Sequence, residues 1–355
     1  MDPIKFGLVG SGWRGEFFLR IARACPERFT ITGVIARRDE RRQQISQQWG
    51  VEAFSSAEDM LARTEPDFVV TSVPWAVNPG LIEWLAGRQM PVLSETPPAP
   101  DIEALVALNQ VGGNIQVAEQ YHLQPHHAAR LALARSGLLG RVSQAQVSAA
   151  HGYHGISLMR RLLGVGYEPC TITGHRFTSP LVAGPDRDGP PDNEEIGSSS
   201  QDFLHCDFGD RLGVFDFTGD QYFSWIRNER VLVRGERGEV INSQAVYLKD
   251  FRTPIKLDFV RHVAGANGNL EGHYLKGIQL GDQWLYENPF VPVSLSDDEI
   301  AIASCLVKMA HYVETGEDFY SLAEASQDHY LGLMGAQALQ EGKAVETDVM
   351  PWAKK

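Results

Sequence analysis

Cysteine is scarce in this sequence, and basic residues are outnumbered by acidic ones. The 355 residues include four cysteines, with no C-x-x-C pair and no Cys/His spacing typical of a zinc site. We therefore expect reduced, mostly buried thiols and no metal centre. Lys and Arg total 32 against 45 for Asp and Glu, a net charge of −13. This balance argues against a nucleic-acid partner, because binding phosphate backbones needs an excess of cations.

Long hydrophobic runs are also missing. No segment reaches the apolar length that spans a bilayer, and the first residues lack the basic and apolar regions of a signal peptide. We therefore expect no membrane partner and a cytoplasmic protein. The composition, 43% hydrophobic and 22% charged, is that of an ordinary globular protein. A chain of this length predicts two domains, each with its own core.

Strand and helix patterns alternate in the first third of the chain. Short apolar runs predict strands at residues 5–9, 30–36, 67–73, 91–94 and 115–119. Helical patterns separate them at residues 16–24, 37–49, 81–87 and 101–110. This alternation is typical of a doubly wound parallel sheet with helices on both faces. We predict a dinucleotide-binding Rossmann domain over residues 1–121.

The pattern changes in residues 122–355. Helices are predicted at 126–135, 155–163, 297–315 and 322–341, and strands at 142–149, 203–208, 212–218, 222–227, 230–234, 240–242 and 246–248. Most of these strands follow one another without helices, so the sheet should be open and mostly antiparallel. We predict an α+β domain for substrate binding and oligomerisation. The acidic group Asp297–Glu299 is interpreted as a helix cap rather than a metal site.

A glycine-rich turn lies between the first strand and the first helix, where the dinucleotide fingerprint requires it. It reads Gly10-Ser11-Gly12-Trp13-Arg14-Gly15. Gly10 allows the tight turn, Gly12 lets backbone N–H groups approach a pyrophosphate, and Gly15 lets helix and strand pack closely. The helix N-terminus adds a partial positive charge, and we predict that Arg14 contacts a phosphate oxygen. The alternative is a merely tight turn with no ligand.

The residues about 20 positions past this turn decide which nicotinamide coenzyme fits. NAD sites usually have Asp or Glu at the end of the second strand, where it binds the ribose hydroxyls. This chain has Ala36, Arg37 and Arg38 there, and a guanidinium can bind a 2′-phosphate with two hydrogen bonds. We therefore expect NADP or NAD as cofactor, with a lean toward NADP. Alternatively, the arginines belong to a solvated helix start, since Arg41 and Arg42 follow.

Five segments resemble motifs of the Gfo/Idh/MocA oxidoreductase family, and together they extend over nearly the whole chain. They are residues 6–12 at the opening, 91–97 for V-x-x-E-K-P, 137–142 for G-x-(I/L)-G-x-(I/V), 154–164 for H-x-x-D-x-x-R-x-L-x-G, and 235–239 for G-x-x-G. The resemblance implies an N-terminal Rossmann domain and a C-terminal domain whose open sheet often packs against another subunit. It also implies hydride transfer to or from a secondary alcohol of a sugar, polyol or related molecule.

The chain departs from the family at three proton-handling positions. Thr96 stands where the family has the lysine of E-K-P, and a threonine hydroxyl cannot act as a general base near neutral pH. Ala150 and Ser157 stand where the family has aspartates. His154 is the family-type catalytic residue that remains. We predict that it is the acid/base, because imidazole transfers protons near neutral pH, with Tyr121 or His122 orienting the substrate oxygen.

Several further residues are candidates for cofactor or substrate contact. Pro74 and Asn78 follow the third long strand, and Glu95, Thr96 and Gln120 follow the next two, at the carboxyl ends where ligands bind. We predict cofactor contacts there, and a cis peptide bond before Pro97. His122, His151 and Tyr153 are predicted to contact substrate, with loop or core packing as the alternative for each. Trp225 and Trp284 are assigned to sheet or dimer-interface packing.

Three functions remain open at this point. The first is a dehydrogenase or reductase acting on a sugar-like secondary alcohol. The second is a glycosidase or lyase in which a bound nicotinamide is oxidised and reduced again within one cycle. The absence of the lysine favours this hypothesis. The third is a nicotinamide-binding regulatory protein without turnover. The retained His154 favours the first two. We expect a homodimer or homotetramer formed through the C-terminal sheet.

Overall fold

The structure, a computed structural model, describes residues 2–354, which divide into two compact units. The first unit comprises the chain through Pro125 together with His262–Lys276 and Asn288–Ser326. The second comprises His126–Arg261, Gly277–Glu287 and the chain from Gln327 onward. The predicted domain boundary after residue 121 thus lies close to Pro125, where the chain first passes from the first unit to the second. A single boundary is not enough, because two later segments return to the first unit.

The chain through Pro125 alternates strands and helices. Its elements are β1 (Ile4–Val9), α1 (Trp13–Ala24), β2 (Phe29–Ile35), α2 (Asp39–Trp49), β3 (Ala53–Phe54), α3 (Ala57–Arg63), β4 (Phe68–Thr71), α4 (Asn78–Ala86), β5 (Val92–Ser94), α5 (Ile102–Val111) and β6 (Ile115–Val117). The strands form one sheet in the order β3-β2-β1-β4-β5-β6, and neighbouring strands are parallel. This confirms the predicted Rossmann domain. The order reverses between β1 and β4, whose carboxyl ends therefore flank the ligand-binding crevice of this fold.

The rest of the chain contains two long α-helices, two shorter ones and many strands. They are α6 (Pro125–Arg135), β7 (Val142–Ser148), α7 (Gly152–Leu163), β8 (Thr171–Val182), β9 (Ile196–Asp207), β10 (Leu212–Phe217), β11 (Arg230–Gly235), β12 (Gly238–Ile241), β13 (Gln244–Asp250), β14 (Thr253–Ala266), β15 (Glu271–Leu280), β16 (Gln283–Glu287), α8 (Asp297–Thr315), α9 (Leu322–Glu341) and β17 (Val345–Glu346). The strands form a large sheet in the order β16-β15-β14-β13-β12-β11-β7-β10-β9-β8-β17. The sheet is mostly antiparallel, as predicted, and β7 and β10 are a parallel pair.

The core of the first unit is built from strands that are buried on both faces. Phe6 and Leu8 of β1 are fully buried. The Phe6 ring stacks on Phe68 of β4 with centroids 5.9 Å apart and meets Phe18 of α1 edge-on at 6.3 Å. Helices on both faces of a parallel sheet explain why its strands are continuous apolar runs rather than alternating ones.

Helix α8 belongs to the first unit although it lies far along the chain. Ser296 caps it by accepting from the Glu299 N–H at 3.2 Å, and the Glu299 carboxylate accepts from the Ser296 N–H at 2.9 Å. The predicted acidic helix cap is thereby confirmed. Glu299 also accepts from Arg20 Nε of α1 at 2.9 Å. Helix α8 packs against α1, β1 and β4, so the Rossmann sheet is covered partly by residues far from it in sequence.

One predicted strand of the second unit is wrong. Residues 222–227 do not form a strand; the chain instead makes a short 3-10 helix at Gly219–Tyr222 followed by turns. The Thr218 side chain accepts from the Asp220 N–H, and Gln221 Oε1 accepts from the Thr218 N–H at 3.0 Å. This reciprocal capping box stabilises a helical turn, and it outweighs the strand propensity of the aromatic residues that follow.

A buried ion pair connects helices α7 and α9 in the second unit. Arg160 Nη1 and Asp328 Oδ1 are 2.5 Å apart, and both side chains are 1% exposed. The Asp328→Asn variant should lower the free energy of unfolding by about 1.5–3 kcal/mol, because it removes a charge-assisted hydrogen bond and leaves Arg160 charged. The midpoint of urea unfolding measures this, with Asp258→Asn on the exposed side of β14 as control. Equal midpoints for the two variants would contradict the prediction.

The four cysteines are free thiols and all are buried, as predicted. Burial raises the pKa of Cys305, and the nearby Glu95 carboxylate raises it further, so this thiol stays protonated. Between residues 2 and 354, no helix is long and apolar enough to cross a membrane.

Candidate functional site

The glycine-rich turn has the geometry that a dinucleotide cradle requires. Gly10 has a φ of 115°, and a Cβ atom on it would lie 2.0 Å from the Ser72 carbonyl oxygen. A Cβ on Gly15 would lie 2.7 Å from the Gly10 carbonyl oxygen. Gly12, in contrast, has extended backbone and no atom within 4 Å of its Cβ position. The first and third glycines thus serve the protein's own packing, and the second leaves open space for a ligand.

Gly12 is also the N-cap residue of α1 and provides no side-chain cap. Helix N-termini without a side-chain acceptor present backbone N–H donors and a partial positive charge to an anion. The turn therefore suits a pyrophosphate, as its sequence predicts.

A cavity of about 900 Å³ begins at this turn and lies entirely within the first unit. It is lined by residues at the carboxyl ends of β1, β2, β3 and β4: Val9, Gly10, Ser11, Gly12, Ile35, Ala36, Arg37, Arg38, Arg41, Ser55, Ser56, Ala57, Glu58, Ser72, Val73, Pro74, Val77 and Leu81. Six predicted cofactor contacts are in this lining, namely Gly10, Ser11, Gly12, Arg37, Arg38 and Pro74. The volume is sufficient for a large organic ligand.

The side of the cavity that follows β2 is basic and carries no carboxylate at the tip of that strand. Ala36 follows the strand, and the exposed side chains of Arg37 and Arg38 come next. Within residues 2–354, neither of these guanidinium groups has a hydrogen-bond or ion-pair partner. Arg41 also lines the cavity, but its guanidinium already has partners. Its Nη2 donates to the Ser11 carbonyl at 2.8 Å and to Glu16 Oε1 at 2.7 Å.

Sequence reasoning missed the far wall of this cavity, which follows β3. Ser55 and Ser56 supply hydroxyl groups there, and Glu58 supplies a carboxylate. Ser56 also caps α3 by accepting from the Asp59 N–H at 3.1 Å. Because β3 has only two residues, its sequence gives no recognisable strand pattern. The one feature of the sequence that could have indicated this wall is the pair Ser55-Ser56, which stands just before a helical pattern.

Arg14 does not lie in the cavity lining, which departs from its predicted role at a phosphate. Its Nε donates to Glu95 Oε1 at 2.7 Å, and the two side chains are 19% and 12% exposed. Burial acts to lower the pKa of Arg14, but the Glu95 carboxylate more than offsets it, so the pKa lies above its usual value. The guanidinium is thereby held at the carboxyl end of β5, next to the segment where the cis Thr96–Pro97 bond is confirmed.

The residues of the first unit fit a nicotinamide dinucleotide. Arg14 Nη2 and Gln120 Oε1 are among the buried polar atoms of the described residues that have no hydrogen-bond partner. Buried polar atoms in native proteins are normally satisfied, so these two indicate room for a polar ligand group. They lie beyond the carboxyl ends of β1 and β6 respectively. Together with the open face of Gly12, they give the first unit both a pyrophosphate cradle and unsatisfied polar atoms.

Other predicted cofactor residues lie outside the cavity lining. Asn78 is 2% exposed. Its side chain accepts from Thr71 Oγ1 at 2.8 Å and donates to Ser94 Oγ at 2.9 Å and to the Pro98 carbonyl at 3.1 Å. It therefore joins β4 to β5 and to the segment after β5. Trp13, at 56% exposed, lies outside the cavity lining.

Tyr121 and His122 lie in a short 3-10 helix of the first unit. The Tyr121 N–H donates to Glu119 Oε1 at 2.9 Å. The His122 ring is mostly buried and stacks on Tyr320, with centroids 5.3 Å apart and planes inclined by 26°. The stacking fixes the His122 ring. The predicted substrate roles of both residues stay predictions.

The three remaining predicted site residues cluster at the start of α7 in the second unit. His151 is the N-cap residue, and its ring meets His154 edge-on at 4.9 Å. His154 is 8% exposed and also contacts Tyr153, with centroids 5.4 Å apart. The Tyr222 hydroxyl, which sequence reasoning missed, lies 2.5 Å from His151 Nδ1. This start of a helix therefore brings together two imidazoles and two phenols.

A second histidine cluster lies at the start of α6. Ligand atoms of His126, His127 and Glu229 are within 4.8 Å of one another. Arg130 Nη1 lies 2.8 Å from His127 Nδ1 and can only donate to it, so neutral His127 carries its proton on Nε2. A protonated Nε2 and an adjacent guanidinium both disfavour a cation here.

Comparison with known proteins supports the assignment of the first unit. The family model described as oxidoreductase family, NAD-binding Rossmann fold (GFO_IDH_MocA), matches residues 4–115. No curated protein matches the chain.

Solved structures resemble the whole chain. An oxidoreductase from Agrobacterium radiobacter in complex with NAD+, L-tartaric acid and magnesium is 14% identical, with 98% of each chain covered and a TM-score of 0.69. A levoglucosan dehydrogenase in complex with NADH and levoglucosan is 15% identical, with 97% of this chain and 99% of that chain covered and a TM-score of 0.69. A myo-inositol dehydrogenase from Corynebacterium glutamicum is 16% identical, with 98% and 99% covered and a TM-score of 0.64.

At such low identity these structures establish the shared fold. The family match, the Gly10–Gly15 cradle and the strand order agree with one another on the first unit. Residues 4–115 therefore form an NAD-binding Rossmann domain that matches the model of the Gfo/Idh/MocA oxidoreductase family.

Proposed function

We propose that the protein binds a nicotinamide coenzyme in the first unit and oxidises or reduces a secondary alcohol or ketone of a sugar or polyol-like substrate. The observation that carries the proposal is the open cradle at Gly12, continuous with the cavity of about 900 Å³. When bound, the nicotinamide supplies the chemistry of accepting or giving a hydride. Calorimetric titration with NADPH and NADH tests the first part, and the absence of binding by both would refute it.

The proposed cofactor contacts follow the shape of the cavity. The backbone of Gly10, Ser11 and Gly12 holds the pyrophosphate, and Pro74 borders the cavity beyond β4. Arg14 and Gln120 offer unsatisfied polar atoms further along the carboxyl edge of the sheet. Glu95 keeps the Arg14 guanidinium in place through their ion pair.

We further propose a preference for NADP over NAD. Arg37 and Arg38 line the adenosine side of the cavity without partners among residues 2–354, and a 2′-phosphate would offer both an acceptor. The Arg37→Ala variant should weaken NADPH binding by about 10- to 100-fold, the loss of one bidentate charged contact, and leave NADH binding unchanged. Parallel titrations measure this, with Arg88→Ala as an exposed-arginine control. Equal or tighter NADH binding by the wild-type protein would contradict the preference.

The proposed substrate class follows from the proteins of the same fold. Levoglucosan and myo-inositol, which appear in the names of two similar proteins, are polyhydroxylated rings. We propose that His154 transfers the hydroxyl proton, because an imidazole is suited to proton transfer at neutral pH. A panel of sugars and polyols, with the nicotinamide absorbance as readout, tests the activity. Sustained product formation without a net change in that absorbance would instead indicate the self-recycling glycosidase or lyase reaction.

Self-association through the large sheet is also part of the proposal. Ile241, Phe251, Val260 and Trp284, on strands and turns of this sheet, are 47%, 76%, 50% and 44% exposed. Exposed apolar side chains grouped on one sheet are typical of a subunit interface. Light scattering on the purified protein should give the mass of a dimer or tetramer, and the mass of one chain would contradict this part.

A further inference from the structure

The Arg14 guanidinium lies at the end of β5, although its side chain starts on α1. Its Nε donates to Glu95 Oε1 at 2.7 Å, and Glu95 directly follows β5. The Glu95 N–H in turn donates to the Thr71 carbonyl of β4 at 2.9 Å, which fixes the backbone that carries the carboxylate. Strand β5 contributes nothing to the lining of the cavity at the glycine turn. The guanidinium is therefore held beside the other half of the Rossmann sheet.

Most of the hydrogen-bonding capacity of this guanidinium is unused. A guanidinium carries five N–H donors, and Arg14 donates from Nε alone, to Glu95. Within residues 2–354, neither Nη1 nor Nη2 has a hydrogen-bond partner. Nη2 is buried, while the side chain as a whole keeps a little solvent exposure. Because unsatisfied donors of a buried charged group are costly, this arrangement indicates that a ligand supplies acceptor oxygens.

The position of the guanidinium along the sheet indicates which part of a ligand it meets. In a Rossmann domain the two nucleosides of the coenzyme lie over the two halves of the sheet, on either side of the pyrophosphate. The cavity at the glycine turn extends toward the ends of β2 and β3. The nicotinamide nucleoside then extends over β5 and β6, and the reacting carbon of the substrate must lie beside it. Glu95 therefore holds Arg14 at the reacting end of the site.

The reacting end needs a cation, and Arg14 can supply one. A secondary alcohol that gives up a hydride passes through a state with negative charge on its oxygen, and a fixed positive group lowers the energy of that state. Thr96, which follows Glu95, carries no charge, whereas the motif that it resembles has lysine there. Although burial acts to lower it, the pKa of Arg14 is raised above its usual value by the Glu95 carboxylate, so this cation is permanent.

We propose that Arg14, besides its proposed contact with the coenzyme, donates to the reacting oxygen of the substrate and stabilises the negative charge that develops there. In the direction of oxidation, the C–H bond breaks and its hydride goes to the nicotinamide, while the O–H bond breaks and its proton goes to His154. Arg14 gains and loses no proton. The inference rests on the proposed function and deepens it, because it adds a second catalytic residue with an electrostatic role.

Steady-state kinetics on the full-length protein test this role, with a substrate found in the sugar and polyol panel. The double variant Arg14→Met/Glu95→Gln removes the guanidinium and leaves no lone carboxylate. Its reference is Glu95→Gln alone, whose amide oxygen still accepts from Arg14 Nε. At saturating coenzyme, kcat of the double variant should lie about 10²- to 10³-fold below that of the reference, the usual effect of removing one stabilising donor. Should the double variant fail to fold, Arg14→Gln replaces it, with the same loss expected against the wild-type protein.

A new cation at the neighbouring position separates an electrostatic role from a structural one. Thr96 is half-buried, and adding Thr96→Lys to the double variant places an ammonium group next to residue 95. This triple variant should regain at least about tenfold in kcat, because positive charge near the reacting oxygen is what the double variant lacks. A loss of activity caused only by disturbed packing would not respond to the added lysine.

Formate gives a readout that does not depend on turnover. Its carboxylate is a small anionic acceptor, like the reacting oxygen when that oxygen carries negative charge. Carbon-13-labelled formate, followed by its NMR line width, is titrated into each variant with and without NADPH. The Glu95→Gln reference should bind formate at least about tenfold more tightly than the double variant, because it keeps the charged fork of Arg14. The triple variant with Thr96→Lys should bind formate more tightly than the double variant.

Helix α1 contains a matched control for the ion pair. Arg20 Nε donates to Glu299 Oε1 at 2.9 Å, so this pair also joins α1 to a distant segment of the first unit. The double variant Arg20→Met/Glu299→Gln should leave both kcat and formate binding unchanged. A loss as large as that of Arg14→Met/Glu95→Gln would show that any break between α1 and its neighbours lowers activity.

The inference is overturned if the double variant at Arg14 and Glu95 turns over within a few-fold of its reference, if Thr96→Lys restores nothing, or if formate binds the double variant and the reference equally. A wild-type protein that binds no coenzyme, or that turns over no member of the panel, would refute the proposed function. Intact coenzyme binding and turnover with no difference between the double variant and its reference would refute the present inference alone.

Discussion

Replacing Gly12 with valine is expected to weaken coenzyme binding by about 10²- to 10⁴-fold with only a small loss of stability. Gly12 has extended backbone that any residue adopts, and the space around its Cβ position is open. The new side chain would occupy the place of the pyrophosphate. Losing two charge-assisted hydrogen bonds there corresponds to about 3–6 kcal/mol, or a 10²- to 10⁴-fold weaker Kd. Calorimetry measures the affinity, and thermal unfolding the stability.

Gly10→Ala is the control that distinguishes an effect on folding stability from an effect on ligand binding. Its Cβ would collide with the Ser72 carbonyl at a backbone conformation that disfavours L-residues. We therefore expect Gly10→Ala to lower the melting temperature clearly more than Gly12→Val, which changes only the N-cap residue of α1. If Gly12→Val retained wild-type affinity for both coenzymes, the open space would not be the pyrophosphate site.

Replacing His154 with alanine is expected to lower kcat by about 10²- to 10⁴-fold, the usual contribution of a positioned acid/base. The reaction is the one identified with the sugar and polyol panel, followed through the nicotinamide absorbance. Affinity for the coenzyme should not change, because the cavity that we assign to it is lined entirely by the first unit.

His175→Ala is the matched control for His154. His175 is an exposed histidine on β8, so its removal should leave kcat unchanged. Undiminished turnover by His154→Ala would remove that residue from the mechanism. Coenzyme binding with no turnover by the wild-type protein across the whole panel would favour a regulatory role.

The Rossmann fold could be predicted because local patterns and tertiary structure agree there. Each buried strand is a continuous apolar run, and the glycine turn follows β1 directly. The short strand β3 and helix α3 could not be predicted in this way, since two strand residues give no periodicity. Consequently Ser55, Ser56 and Glu58, which form one wall of the cavity, were missed.

The candidate site shows a second limit of sequence reasoning, which concerns side-chain partners. Arg14 follows the fingerprint spacing of a phosphate contact, but its guanidinium binds Glu95, which is 81 positions away in the chain. Asn78 has the position of a loop ligand, but its amide is satisfied by Thr71, Ser94 and Pro98. Such choices are set by which groups the fold brings together, which no local pattern encodes.

Tyr222 illustrates a third limit. Its segment is aromatic and therefore favours a strand by propensity, whereas Thr218 and Gln221 form the capping box that bends it into a helical turn. Only that turn brings the phenol to His151. The structure groups His151, Tyr153 and His154, and Tyr222 joins them from a segment whose sequence predicts a strand.

Helix α8 has a consequence for how the protein is made. During synthesis the strands of the Rossmann sheet leave the ribosome well before residues 297–315 exist, so α1, β1 and β4 emerge without the helix that covers them. The apolar surface of α1, β1 and β4 that α8 later covers is then exposed to solvent or to chaperones. The coenzyme domain can therefore complete its fold only after most of the second unit has been translated, and a fragment ending at Pro125 should aggregate rather than fold.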